Sequence, residues 1–431
     1  MRIVIICNRS QQQTSTMQQN ELGPVIAKPV YETGDSIKEF SQFGSVFMLG
    51  AGQTTLLICL PAIAEETGLG YGLLTAMVAL GTCLFIFTSP LWGRISDRFG
   101  RKRVVQSGLF GFAASFLLLA FALHGLGSGL LSRELAIGLM FFARTIYGLL
   151  VSGLYPAVQA WVIDDSNHSN RLPGLSRITV SINAGRLIGP VIPAMLISQG
   201  SLFPVLALVV FAIPLLIQVS ILTNDEPSEV RQEKGSEEKN PFRQMLKSLW
   251  PVLLVACSVT TLFGLLQYLI GPILQERFSY DGVSASRVLS MLMMVAAFST
   301  VVAHLLVSRF AQGRLILSLK VGSVLLLFGS FLLITSTQLI CLIFGLVFSA
   351  ASIALLTPAY TTLASEQVGQ QGVLTGTLAM IHTLGYTMGA LLAGLGGSLG
   401  IQMAEVFCIF LAVLLLMISF LLVESPKKRS C

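Results

Sequence analysis

The chain has 431 residues, of which 54% are hydrophobic and 11% charged, with a mean hydropathy of +0.78 and a formal net charge of +6. A soluble globular chain carries about 25% charged residues, so too little polar surface remains to cover a water-soluble body and lipid must cover much of it. The excess of bases is then judged by where it sits, because membrane proteins bias Lys and Arg to cytoplasmic loops, and nucleic acid is not expected as a partner.

The N-terminal MRIVIICNRS starts basic, but its apolar run covers only residues 3–7, short of the roughly 7–15 that a signal peptide needs. Residues 1–39 read as a polar cytoplasmic tail, with Met17 as an alternative start. Crossing a bilayer takes about 20 mostly apolar residues. Such runs fall at 40–64, 71–91, 104–124, 135–163, 174–198 and 202–222, and again at 249–270, 285–307, 316–335, 339–364, 373–395 and 403–423. Between the sets lies TNDEPSEVRQEKGSEEKNPFRQ, polar, mixed in charge and interrupted by proline, which reads as a solvated linker. The predicted architecture is all-α and integral to the membrane: a six-helix bundle at 40–222, a cytoplasmic linker at 223–247, a second six-helix bundle at 248–423, and a tail at 424–431.

With the N-terminus in the cytoplasm, the outer connections hold Arg133 and Arg277, with Arg287 at a helix start. The inner side receives the charged stretch GRISDRFGRKR at 93–103, Arg171, Arg177, the linker, Arg309, Arg314 and the PKKR tail. This bias places both termini inside, in the plasma membrane (the inner membrane of a bacterium). The seven cysteines are scattered, mostly within apolar runs, with no CxxC or Cys/His cluster; they read as small core residues rather than a disulfide framework or metal site.

The two halves are alike. SDRFGRKRVV at 96–105 aligns with VSRFAQGRLI at 307–316, sharing Arg98/Arg309, Phe99/Phe310 and Arg103/Arg314, each between the second and third span of its half. GRLIG at 185–189 has a counterpart in GYTMG at 385–389, each in the fifth span of its half. Duplicated bundles are a transporter architecture.

Within the charged stretch, Gly93, Asp97, Arg98, Gly100, Arg101 and Lys102 match the pattern G-x-x-x-D-R-x-G-R-[RK], and the chain resembles the major facilitator superfamily, which carries it after the second helix. RTIYG at 144–148 resembles that family's fourth-helix R-x-x-Q-G, with Tyr147 in place of Gln. GRLIGP at 185–190 resembles the exporters' fifth-helix G-x-x-x-G-P-x-x-G-G, with Pro193 and Ala194 where paired glycines follow. Asp164, followed by Arg171 and Gly174, is similar to the loop after the fourth helix of twelve-span drug/proton antiporters. The resemblance implies two six-helix bundles, proton-coupled efflux, and gating roles for the signature residues together with Asp164, Gly185, Gly189 and Pro190.

The residues support part of this without the resemblance. Glycines permit a tight turn and close helix approach. Asp97, set among five cations, is expected to stay ionised and to bind a helix N-terminus or a neighbouring Arg. Such a contact would hold the halves together on the inner side in one state and break in the other; the alternative is that the stretch only anchors topology.

Two cations lie within the spans. Arg144 is nine positions beyond Leu135 and Arg186 twelve beyond Gly174, roughly 14 and 18 Å deep at about 1.5 Å per residue. A central Arg costs about 2.5–3.5 kcal/mol on an insertion scale, so both are expected to face a polar cavity. Either they bond to backbone carbonyls, Gln, Tyr and water as structural residues, or an anionic substrate supplies the missing charge. The other cavity candidates are Gln53, Tyr147, Gln267, Tyr268, His382 and Tyr386. Tyr147 shares a helix face with Arg144, Gln267 and Tyr268 interrupt the seventh span beside Gly271 and Pro272, and His382 titrates near neutrality unless it is a hydrogen-bonded core residue.

The resulting expectation is a carrier of a small molecule, working by alternating access and coupled to protons, with lipid around it and no cofactor or metal. Its alternative is an exporter or carrier of an anionic metabolite such as a polycarboxylate or siderophore. A polytopic enzyme or receptor is the remote third reading: no Ser/His/Asp set, HExxH motif or paired carboxylate stands out, and no Walker-type phosphate loop appears.

Overall fold

The computed structural model describes residues 33–165, 171–222, 241–310, 314–367 and 371–421. Among these, twelve helical segments are long and apolar enough to cross a membrane. The first bundle contains α1 (Thr33–Thr67), α2 (Tyr71–Phe99), α3 (Arg101–Gly127), α4 (Arg133–Leu150), α5 (Leu154–Asp164), α6 (Arg171–Ile188), α7 (Val191–Leu196) and α8 (Leu202–Leu222). A short 3-10 turn at Val151–Gly153 joins α4 to α5 in one crossing, and Gly189–Pro190 joins α6 to α7 in another. The second bundle contains α9 (Pro241–Phe278), α10 (Gly282–Phe310), α11 (Leu315–Thr335), α12 (Leu339–Gln367), α13 (Gln371–Leu399) and α14 (Ile401–Leu421). The N-terminal tail to residue 32, most of the linker, Arg171's side chain, Arg309's side chain and the C-terminal tail lie outside the described residues.

These helices form because their side chains are apolar around most of the circumference and their backbone groups must pair internally where lipid surrounds them. Large apolar residues such as Val210, Phe211, Ile221, Phe410 and Phe420 are exposed on α8 and α14, which is the pattern of a surface meant for lipid rather than water.

The charged stretch at 93–103 is not the loop expected. Helix α2 runs on through Phe99, and nothing in ISDRF breaks it. The turn is a single residue, Gly100, with φ 95° and ψ 151°, and α3 starts at Arg101. A side chain is strained at that φ, so Gly100 is the residue that allows two antiparallel helices to follow each other without a loop.

The glycine pairs that matched in sequence occupy equivalent places. A Cβ at Gly185 would collide with the carbonyl oxygen of Phe47 on α1, and one at Gly189 with the Thr54 hydroxyl. In the second bundle, a Cβ at Gly385 would collide with Thr260 on α9, and one at Gly389 would lie 2.6 Å from the carbonyl oxygen of Thr261. Each pair lets two helices of its own bundle approach to backbone contact. The Thr55 hydroxyl donates to the carbonyl of Gly189 at 3.0 Å, a carbonyl to which Pro193, four residues on, has no N–H to offer.

The bundles meet at the end remote from Gly100. There the Tyr71 hydroxyl donates to the Tyr268 carbonyl at 2.8 Å, and the Ala62 N–H to the Ser286 hydroxyl at 3.2 Å. The N–H of Gly282 donates to the Glu65 carboxylate. A Cβ at Gly72 would lie 2.6 Å from the Gly394 carbonyl oxygen. Further along, the Thr387 hydroxyl donates to that of Thr82 at 3.1 Å. Gly93 lies about three helical turns beyond Thr82, and Gly376 about three turns before Thr387, so each continues the face that meets the other bundle. Yet a Cβ at either would meet no atom within 4 Å. The close approach expected of Gly93 is absent in this conformation: α2 and α13 touch at one end and diverge toward the other.

Candidate functional site

Arg144 is enclosed within the first bundle, 2% exposed. Its guanidinium lies 3.9 Å from the centroid of the Tyr147 ring and 5.7 Å from that of Phe116. A Cβ at Gly81 on α2 would sit 3.2 Å from its Nε and Nη2, so the small residue makes room for it. Tyr147, fully buried, stacks on Phe85 at 5.6 Å between centroids. The Nε and Nη1 of Arg144 and the Tyr147 hydroxyl have no hydrogen-bond partner among the described residues. Aromatic faces therefore take the place of the backbone carbonyls, Gln and water expected around this cation, an interaction worth about 2 kcal/mol when desolvated. Neither side chain opens to the space between the bundles here.

Arg186 differs. It is half-buried on α6 and makes no hydrogen bond or ion pair among the described residues. It lies within electrostatic reach of Tyr155 on α5 and of His382 and Tyr386 on α13. His382 Nε2 and the Tyr360 hydroxyl share a 2.7 Å hydrogen bond, so this histidine is held by a partner on α12. Gln159 donates to the Tyr155 hydroxyl at 3.3 Å. Tyr386 packs edge-on against Phe263, ring centroids 6.3 Å apart.

Tyr268 connects the two regions. It is buried on α9, within electrostatic reach of Arg144 on one side and Tyr386 on the other. Gln53 and Gln267 are half-buried and make no side-chain hydrogen bond among the described residues.

Three residues of this region escaped the sequence reading: Tyr155, Gln159 and Tyr360. Tyr155 follows Arg144 by eleven residues, about three turns of an unbroken helix, and Gln159 follows it by one more turn, so a periodicity search from Arg144 finds both. Tyr360 has no comparable signal; only packing brings α12 beside His382.

The signature residues form a network inside the first bundle. Arg101 donates through Nη1 to Asp97 at 2.5 Å and to Ser96 at 2.9 Å, and through Nε to Asp164 at 2.9 Å. Asp97 thus engages the start of the adjoining helix, and among the described residues no contact of it with the second bundle accompanies that pairing. Arg98 lies over the Phe99 ring at 5.3 Å, and Lys102 is half-buried in the first turn of α3. Nearby, Lys38 and Gln42 of α1 donate to Asp165 at 2.7 and 2.8 Å. At the opposite end Glu405 pairs with Arg277.

A cavity of about 700 Å³ opens among α1, α7 and α8, lined by Phe47, Met48, Ile192 and Phe211. It offers almost no polar group and its rim residues Phe40 and Met195 are exposed, so it faces lipid. Among the described residues no group of His, Cys, Asp and Glu is arranged to hold a metal ion.

The sequence profile of the Major Facilitator Superfamily matches residues 43–390. The chain is similar to Multidrug resistance protein 2 of Bacillus subtilis (strain 168), at 25% identity over 381 residues, covering 86% of this chain and 91% of that protein. It is also similar to the class D tetracycline resistance protein of Salmonella ordonez, at 27% identity over 336 residues, covering 75% and 78%. Among solved structures, a bacterial homologue of the human lysosomal transporter Spinster, inward-facing and occupied, superposes with a TM-score of 0.67 at 14% identity over 90% of this chain and 97% of that one. Twelve crossings in two bundles and a profile match over most of the chain lead to one conclusion: this protein is a membrane transporter, not an enzyme, and belongs to the Major Facilitator Superfamily.

Proposed function

We propose that the protein is a secondary active exporter, moving a small molecule out of the cytoplasm in exchange for protons by alternating access. The observation that carries the reading is the asymmetry of the bundle contacts. They join at the Glu65 and Tyr71 end and diverge at the Gly93 and Gly376 end, with Arg186 and His382 between. The names of the multidrug and tetracycline resistance relatives support efflux. The bases on the Gly100 face support a cytoplasmic location for that end, so the divergent end is the one that admits substrate from inside. Both termini and the linker then lie in the cytoplasm, residues 40–222 and 248–423 act as the two rocking units, and a bacterial inner membrane suits the relatives' sources.

Proton coupling needs a group that binds substrate and proton alternately. Asp97 and Asp164 are tied to Arg101, and Glu405 to Arg277. His382 is the titratable group beside Arg186 and is the proposed proton carrier. Metabolite profiling of medium and cytoplasm, with and without the gene, tests the direction: a compound retained inside the deletion strain is expected. Everted vesicles then test coupling, where collapse of the pH gradient is expected to abolish accumulation of that compound. Accumulation that survives the collapse would remove proton antiport, and a compound lost from the medium only when the gene is present would reverse the direction.

A further inference from the structure

We propose that the space between the bundles binds an aromatic organic monoanion, its carboxylate on Arg186 and its ring beside Tyr155, Tyr386 and Phe263. The inference rests on the transport reading above and names the substrate class of that same site.

The first observation is a charge imbalance. Every carboxylate among the described residues lies within about two turns of a helix end, while Arg144 and Arg186 lie deep in their crossings. A cation held away from water without a partner is costly. Arg144 offsets that cost in part with the Tyr147 and Phe116 rings. Arg186, half-buried, makes no hydrogen bond or ion pair among the described residues. A bound anion is the group that completes it.

The second observation is the neighbourhood. The planar fork of a guanidinium matches a planar carboxylate by two parallel hydrogen bonds. Tyr155 and Tyr386 lie within electrostatic reach of Arg186, and their hydroxyls can donate to the same anion. Phe263 stands against Tyr386, which supplies an aromatic wall for the body of the molecule. Of this pair of cations Arg186 is the accessible one and one carboxylate completes it, while Arg144 is enclosed and adds potential without contact. That same positive potential disfavours cationic compounds.

The test is equilibrium binding to the purified full-length protein by calorimetry, which needs neither a transport direction nor a proton gradient. The probes are 2-naphthoate, its neutral isostere 2-naphthamide and the cation 2-naphthylmethylammonium. Wild type is expected to bind naphthoate at least tenfold more tightly than the other two. Arg186→Gln, matched for monodispersity and thermal unfolding, is expected to weaken naphthoate about ten- to a hundredfold, the loss of one charge-assisted contact, and to leave naphthamide within twofold. Arg186→Lys is expected to recover part of the naphthoate affinity, since the charge stays and the fork does not. Equal binding of the three probes by wild type, no binding of any, or equal loss of naphthoate and naphthamide in Arg186→Gln overturns the inference. If Arg186→Gln fails to fold, charge selectivity in the wild type decides alone. Failure here leaves the export and coupling tests standing.

Discussion

The carboxylate of Glu65, at the end of α1, accepts the backbone N–H of Gly282, the first residue of α10. A charge of one bundle thus closes the first turn of a helix in the other. A helix N-terminus carries partial positive charge, and a carboxylate there is worth about 0.3–1 kcal/mol, up to about 2 in partly buried geometry. The Tyr71 and Ser286 hydrogen bonds lie beside it. Separation of the bundles at this end would break all of them, and we propose Glu65 as a latch on the joined arrangement.

Glu65→Ala is expected to shift the equilibrium toward separation at this end, by about 0.5–2 kcal/mol. Spin labels at Gly70→Cys and Thr337→Cys, in a background lacking the native cysteines, report the distance between the bundles there. A longer-distance population that grows in Glu65→Ala and grows less in Glu65→Gln, whose amide oxygen can still accept the Gly282 N–H, supports the latch. An unchanged distribution removes it.

Asp97→Asn tests whether the signature network serves stability or motion. Asp97 is largely exposed, its side chain 65% accessible, and exposed ion pairs contribute about 0–1 kcal/mol. Thermal unfolding should therefore barely move. Transport should fall sharply if Asp97 joins the bundles at this end in the alternate state. Normal transport at normal expression would reduce the network to a topology anchor.

Gly93→Ala and Gly185→Ala should behave in opposite ways. At Gly93 the added methyl meets nothing within 4 Å, and a helical Gly→Ala change favours the helix by about 1 kcal/mol, so folded yield should hold or rise. Transport should nonetheless drop if α2 approaches α13 there in the other state. At Gly185 the methyl collides with the Phe47 carbonyl, and overpacking of this kind costs about 1–3 kcal/mol, so folded yield should fall. Gly385→Ala should repeat the Gly185 result in the second bundle. Similar yields for all three would contradict the packing described.

Arg144→Met exchanges a buried cation with unpaired Nε and Nη1 for an apolar chain of similar length. Replacing buried charge with fitting apolar groups is often neutral or stabilising by about 1–4 kcal/mol. The unfolding temperature in a fixed detergent should stay level or rise while transport of an anionic compound weakens. A large drop in unfolding temperature would show that the aromatic contacts of Arg144 outweigh its desolvation.

Topology is checked by labelling. An impermeant thiol reagent added outside should reach a cysteine placed at Gly127 and miss one placed in the 223–240 linker, as the distribution of Arg and Lys requires. The reverse pattern would invert the orientation and the direction of export with it.

Twelve crossings and their pairing into halves were legible in the sequence because lipid imposes a local rule: each crossing needs its own run of about 20 apolar residues. The family signature was legible for a related reason. Gly100 must adopt a conformation that side chains resist, so its place between Phe99 and Arg101 is written in residue identity. Helix ends were less clear, since charged residues such as Arg94 and Asp97 continue a helix into the interface as readily as they end it. The site was legible only in part. Arg186 announced itself by the cost of its depth, but nothing local to Glu65 points to Gly282, more than 200 residues away, and nothing local to Tyr360 points to His382. Which bundle faces touch, which end stays closed, and that aromatic rings rather than a carboxylate surround Arg144 depend on long-range packing of rigid helices, whose contacts follow from how whole surfaces fit and not from any one segment.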